Sequence, residues 1–246
     1  MQAAVPEKLV AVLRAAKKVV VLTGAGTSAE SGVPTFRDAQ TGLWAKFSPE
    51  DLATPEAFQR DPKLVWDWYD WRRQLVSKAQ PNAGHEALVQ MEARVPDFTL
   101  ITQNVDGLHQ QAGSKRVLEL HGNIRRTKCF REDCVVDSWD SKENPPRCKR
   151  CGGFLRPDVV WFGEALPQAV FGEAEKATRS CELFFSVETS SVVYPAAALP
   201  LDALGAGATV VEVNPAETSL SAEATFSVRA SSGTFLPELI RATWSL

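Results

Sequence analysis

Val19-Val20-Val21-Leu22-Thr23-Gly24-Ala25-Gly26-Thr27-Ser28-Ala29 decides the fold of this chain. The first five residues form a short apolar, β-branched run, the pattern of a strand buried on both faces of a parallel sheet. The run passes directly into G-x-G-x-x-A. In a strand–turn–helix setting the first glycine permits the tight turn, and the second lets backbone approach a pyrophosphate. Alone the pattern is weak. The acidic residue expected about 20 positions later is missing. Glu50 and Asp51 lie further on, in a segment without strand pattern. A plain glycine-rich turn therefore stays open as a reading.

Working outward, five more short apolar runs occur, at 98–102, 117–120, 183–187, 209–213 and 225–228. Between them lie candidate helices at 6–16, 82–93, 167–180, 195–205 and 237–243, several opening on proline, which is harmless in a first helical turn. The alternation predicts an α/β fold, a Rossmann-like doubly wound parallel sheet. Two stretches break the rhythm: a Trp-rich segment at 37–80, and a Cys- and charge-rich one at 122–160. They predict a smaller module, helical and zinc-binding. The nucleotide domain would then comprise residues 1–36, 81–121 and 161–246.

Composition excludes several function classes. The chain of 246 residues is 44% hydrophobic and 23% charged, with net charge −3. An acidic balance argues against nucleic acid or an anionic membrane as partner. No apolar run approaches the roughly 20 residues of a membrane span. The opening residues MQAAVPEKLV lack the pattern of a secretory signal, so a cytoplasmic protein is expected.

Four of the five cysteines are paired as Cys129-x4-Cys134 and Cys148-x2-Cys151. Two short-spaced pairs supply four thiolates for one tetrahedron, the arrangement of a structural zinc ion. Lys128, Arg147, Lys149 and Arg150 flank them and would offset the thiolate charge. Disulfides are the lesser reading inside a cell. Cys181 precedes an apolar run and reads as core.

Polar residues cluster at strand ends. Thr102-Gln103-Asn104-Val105-Asp106-Gly107 follows the second strand, where open α/β sheets bind ligands. Asn104 and Asp106 could hold a carboxamide, or simply cap the next helix. His121 follows the third strand and has the right chemistry for a general base. The loop at 30–37 could cover a ligand, with Phe36 shielding a reactive carbon and Arg37 near phosphate or acyl oxygen.

In order along the chain, these pieces resemble the sirtuins, NAD-dependent protein lysine deacylases. The resemblance covers the glycine turn through Arg37, then residues 102–107, His121-Gly122 and the cysteine pairs. It continues with Val160-Trp161-Phe162-Gly163-Glu164, Thr189-Ser190 and Val213-Asn214. It implies NAD as co-substrate across the sheet's switch point. Gly24, Ala25, Gly26, Ser28 and Glu30 would contact its phosphates and nearby groups. Asn104 and Asp106 would seat the nicotinamide amide, and Gln103 would hold ribose. Thr189, Ser190, Asn214 and Ser232 would lie along the adenosine half. His121 would free a ribose hydroxyl to attack the imidate formed from the acyl-lysine. Val160, Trp161, Phe162, Gly163 and Glu164 would pair as a strand with an acyl-lysine peptide or protein substrate.

Tyr69 and Arg72 stand three apart in a helical pattern, so they share a face. A phenol and a guanidinium converging on one point can clamp a carboxylate. The pattern resembles the sirtuin branch that prefers succinyl, malonyl or glutaryl lysine. Small Ala53 fits that branch by leaving room for the longer chain. The other reading is an amphipathic helix packing its tryptophans.

Glu188 departs from the family pattern, which has glycine there. Like charges 5 Å apart at an effective dielectric of 20 repel by about 3 kcal/mol. A glutamate beside a diphosphate would then weaken NAD binding, unless it points to water. This keeps open a binding module without turnover, or a mono-ADP-ribosyltransferase.

Overall fold

The computed structural model describes residues 4–34, 47–139 and 142–244. Six parallel strands form the main sheet: β1 (Lys18–Thr23), β2 (Asp97–Thr102), β3 (Val117–Glu119), β6 (Leu183–Val187), β7 (Thr209–Val213) and β8 (Phe226–Val228). Their spatial order is β3-β2-β1-β6-β7-β8. The chain winds outward from β1 in one direction, returns, and winds outward from β6 in the other. This is the expected doubly wound Rossmann-like sheet, with its switch point between β1 and β6. The apolar runs form strands because both faces are covered. Helices α1 (Glu7–Ala15), α5 (Ala83–Glu92) and α9 (Ser232–Trp244) bury Leu13, Leu88, Met91 and Leu239 against Val19, Val21 and Phe185. On the opposite face α7 (Gln168–Ser180) and α8 (Leu199–Gly205) bury Ala174, Leu199 and Ala203 against Val20, Leu22 and Phe184. Cys181 is buried in this second cluster, as expected of a core residue.

Two helices differ from the sequence reading. Residues 195–205 are not one helix: a short 3₁₀ turn, Ala196–Ala198, leads into α8. The last helix begins at Ser232, before Pro237, which lies inside it. Its start is set by distant groups, because the carboxylates of Glu188 and Glu30 accept the Ser232 and Gly233 N–H groups at 2.6 and 3.0 Å.

The Trp-rich stretch forms α2 (Pro49–Leu52), α3 (Pro55–Arg60) and α4 (Pro62–Lys78). Thr54 and Asp61 cap α3 and α4, accepting the N–H of Ala57 and Leu64, each with proline next in line. The cysteine-rich stretch carries an antiparallel pair, β4 (Gly122–Cys129) and β5 (Leu155–Val159). Both stretches share one apolar cluster, in which Leu52, Phe58, Val65, Trp68 and Tyr69 meet Ile124, Val159 and Trp161. Burying a side chain such as Phe58 contributes about 1.5–3 kcal/mol. Among the described residues no helix is long and apolar enough to cross a membrane.

Candidate active site

Thr23, Thr102, Val187 and Val213 stand in register at the ends of β1, β2, β6 and β7. The next residue of each strand, Gly24, Gln103, Glu188 and Asn214, enters one cleft of about 1460 Å³. Gly24 N–H donates to the Val187 carbonyl at 3.0 Å. A Cβ on Gly24 would lie 2.5 Å from the Glu188 carbonyl oxygen, so only glycine fits this junction. Residues 25–31 then form a 3₁₀ helix that presents Ala25, Gly26 and Ser28 to the cleft.

At the β2 end, Asn104 Nδ2 donates to Ser28 Oγ at 3.1 Å, and Asn104 N–H donates to Thr102 Oγ1. Asp106 lines the cleft, yet its carboxylate also accepts the Leu108 N–H at 2.8 Å. It therefore supports α6 (Leu108–Ala112) as well as facing the site. His121 donates from Nδ1 to the Gln103 carbonyl at 3.0 Å, which leaves Nε2 as the basic nitrogen. Burial lowers its pKa below the usual histidine value, and the Gln103 carbonyl opposes that shift.

Beneath these groups runs a polar ladder that the sequence reading missed. Thr23 Oγ1 donates to Thr102 Oγ1 and accepts from His109 Nε2 at 2.9 Å. His109 packs 4.8 Å from His85, which reaches Ser28 Oγ at 3.5 Å. His85 had one visible signal: it closes a capping box with Asn82 at the start of α5. Burial, helped by the neighbouring His85, depresses His109 to about 3 from 6.5. Below pH 6.5 the unfolded chain takes a proton that the folded chain refuses, so this contribution is present above 6.5 and is lost as pH falls toward 3. By pH 5 the loss is about 2 kcal/mol. Denaturant melts at pH 7 and pH 5 should show His109→Asn losing that much less stability than the parent. Equal losses in both proteins would remove His109 from the account.

The helical stretch contributes the cleft's other wall. Ala53, Tyr69 and Arg72 line it, and the last two are buried at 1% and 8% exposure. Tyr69 Oη accepts the Trp161 indole N–H at 2.9 Å, which leaves its own proton to donate. Burial pushes the Tyr69 phenol up to about 12, and the Arg72 guanidinium acts the other way. Arg72 lies 4.9 Å from the Trp68 ring centroid. Burial lowers its pKa, against the opposing influence of Tyr69 and Asp106.

Val160, Trp161, Phe162, Gly163 and Glu164 also line the cleft. They do not form a strand in the free chain. Val160 N–H donates to the His121 carbonyl at 2.9 Å, and Glu164 N–H to the Trp161 carbonyl, closing a turn with Gly163 at φ 88°. Glu164 is held by Arg156 at 2.9 Å and by the Trp161 N–H at 2.8 Å. Arg156 is itself buried, with its guanidinium over the Trp161 ring.

Some expected residues fall elsewhere. Glu30 does not line the cleft; its carboxylate binds Ser231 and Gly233 at the start of α9. Ser232 is fully buried outside the cleft lining, with no hydrogen-bond partner for its hydroxyl. Thr189, Ser190 and Asn214 do line it, and Asn214 Nδ2 donates to the Thr189 carbonyl at 2.8 Å. Phe36 and Arg37 lie outside the described residues. Exposed Tyr194 joins the lining without any prior signal.

Cys129, Cys148 and Cys151 gather with sulfurs within 4.8 Å of one another, the first and third 3.4 Å apart. Thiolates on one zinc ion sit about 3.8 Å apart, as follows from Zn–S bonds near 2.3 Å. The three sulfurs therefore fit a structural zinc ion. Cys134, the expected fourth ligand, lies outside that cluster, with its sulfur accepting from Arg150 Nη2 at 3.0 Å.

A Sir2 family model matches residues 24–195. An NAD-dependent protein deacylase of Aquifex aeolicus is 57% identical over 221 residues, spanning 87% of this chain and 91% of its own. One from Methylococcus capsulatus is 47% identical, covering 96% of each chain. A solved Sir2 homologue in complex with NAD superposes with a TM-score of 0.92 at 43% identity, over 99% of this chain and 96% of its own. A Sir2 complex with p53 peptide and NAD+ gives 0.84 at 32%, over 96% and 97%. On sequence, fold and the arrangement of the cleft alike, this chain belongs to the Sir2 family.

Proposed function

We propose that this chain is an NAD-dependent protein lysine deacylase that prefers acidic acyl groups: succinyl, malonyl or glutaryl. The observation that supports the preference is the buried Tyr69–Arg72 pair facing the same cleft as His121. A buried guanidinium favours a carboxylate strongly, since both lose water and each supplies the charge the other needs. Ala53, with its small side chain, leaves depth for a longer acyl chain.

NAD acts as co-substrate. Asn104 and Asp106 hold its carboxamide, and Ser28 keeps the Asn104 amide in place. Gln103, its backbone fixed at the β2 end, lines the cleft and would hold the ribose. With NAD bound there, the lysine-bound acyl oxygen would displace nicotinamide from the ribose carbon. His121 Nε2, left basic by the Nδ1 bond to Gln103, would take the proton of a ribose hydroxyl so that its oxygen could attack the acyl carbon. One water molecule would be consumed as the lysine amine leaves the acyl carbon, and the products would be free lysine, nicotinamide and O-acyl-ADP-ribose. The segment from Val160 to Glu164 seats the peptide backbone, and the zinc ion has a structural part only.

Mass spectrometry of succinyl, malonyl and acetyl lysine peptides incubated with NAD tests this reading. Succinyl or malonyl loss should outpace acetyl loss by at least about tenfold, because a site built for a polar group rejects the analogue lacking it. One nicotinamide should appear per acyl group removed. Equal rates on acetyl and succinyl peptides would refute the preference. ADP-ribose left on protein, without acyl loss, would refute deacylation itself.

A further inference from the structure

Glu188 occupies an unusual backbone position. It follows β6 at the switch point, with its N–H bonded to the Val213 carbonyl at 2.8 Å and φ at 49°. Left-handed backbone is costly for a residue with a Cβ, and such strain tends to persist where a site uses it. The side chain does not turn out to solvent. Its Oε1 accepts the Ser232 N–H at 2.6 Å, the first amide of α9. Its Oε2 and Cβ lie 2.6 and 2.7 Å from where a Cβ on Gly26 would stand. The three atoms nearest that position, Oε2, Cβ and Cδ, all belong to Glu188. Thus the open face of the second glycine, the place where backbone meets a pyrophosphate, is filled by the chain's own carboxylate. The same carboxylate takes the amide at the head of a thirteen-residue helix.

We infer that Glu188 is a built-in competitor for the dinucleotide, an internal anion that must swing away from Gly26 and release the α9 amide before a diphosphate can seat. The inference rests on the proposed NAD site. It adds that affinity is set by an exchange of one anion for another. NAD occupancy therefore loosens the head of α9, and Glu188 holds that helix when the cleft lacks ligand.

Calorimetric titration of ADP-ribose and of NAD into the parent, Glu188→Gly and Glu188→Gln tests this, together with melting of each protein without ligand. Glu188→Gly should bind ADP-ribose about tenfold more tightly or better, the weight of one charge-assisted hydrogen bond no longer broken on binding. Without ligand the lost helix cap and the relieved left-handed strain oppose one another, so it should melt within about 2 °C of the parent. Its ligand-induced rise in melting temperature should exceed the parent's. Glu188→Gln keeps the bulk and an acceptor oxygen, so it should show a smaller gain, and it carries the test alone if the glycine variant fails to fold. Unchanged or weaker ADP-ribose binding in both variants overturns the inference, and a weaker complex would make Glu188 a ligand for ribose. Failure of all three proteins to bind NAD or ADP-ribose overturns the nucleotide site itself and the inference with it.

Discussion

His121→Ala abolishes acyl-lysine turnover, cutting it by about 10²–10⁴, while NAD binding persists. The magnitude is that of losing a positioned general base. Nδ1–H is fixed on the Gln103 carbonyl, so the tautomer that leaves Nε2 basic is the one the backbone selects. Burial keeps the ring neutral below the usual histidine range. The parent's acidic limb should consequently fall below pH 6.5, since protonation, which removes the base, comes later than in a free histidine. Single-turnover assays across pH 5–8, beside NAD titrations, check both statements. A variant that retained a third of parental turnover would dismiss this imidazole from the chemistry.

Arg72→Met should lower kcat/KM for succinyl peptides by about 30- to 5000-fold, the equivalent of 2–5 kcal/mol for truncating one partner of a buried charge pair. Acetyl peptides, which offer no carboxylate, should change by less than about threefold. Methionine keeps length and apolar contact beside Trp68, so the fold should hold. Tyr69→Phe should cost succinyl turnover less, because it removes a neutral donor and not a charge. Steady-state kinetics on the paired peptides decide it. Parallel loss on both substrates would show that Arg72 supports the cleft's shape and does not read the acyl tail.

The elements legible in the sequence are those whose cause is local. The six strands could be read because burial on both faces favours mostly apolar runs, as in Val19 to Leu22 and Leu183 to Phe185. His121, Asn104 and Asp106 could be read because strand ends on one edge of a parallel sheet converge. What escaped is set by distant partners. Nothing near Pro237 reveals that helix α9 starts at Ser232, since its caps come from Glu30 and Glu188. The His85–His109 pair joins two helices, and only folding brings the rings together.

The indole hydrogen bond from Trp161 to Tyr69 has a consequence for anyone retuning this protein. It ties the Tyr69–Arg72 wall to the Val160–Glu164 segment, and Val160 ties that segment in turn to the carbonyl of His121. A graft of α4 from a relative with different taste would strand the indole proton in a dry interior. Such transplants should succeed only when residues 53–76 travel together with 155–164, as a single cassette.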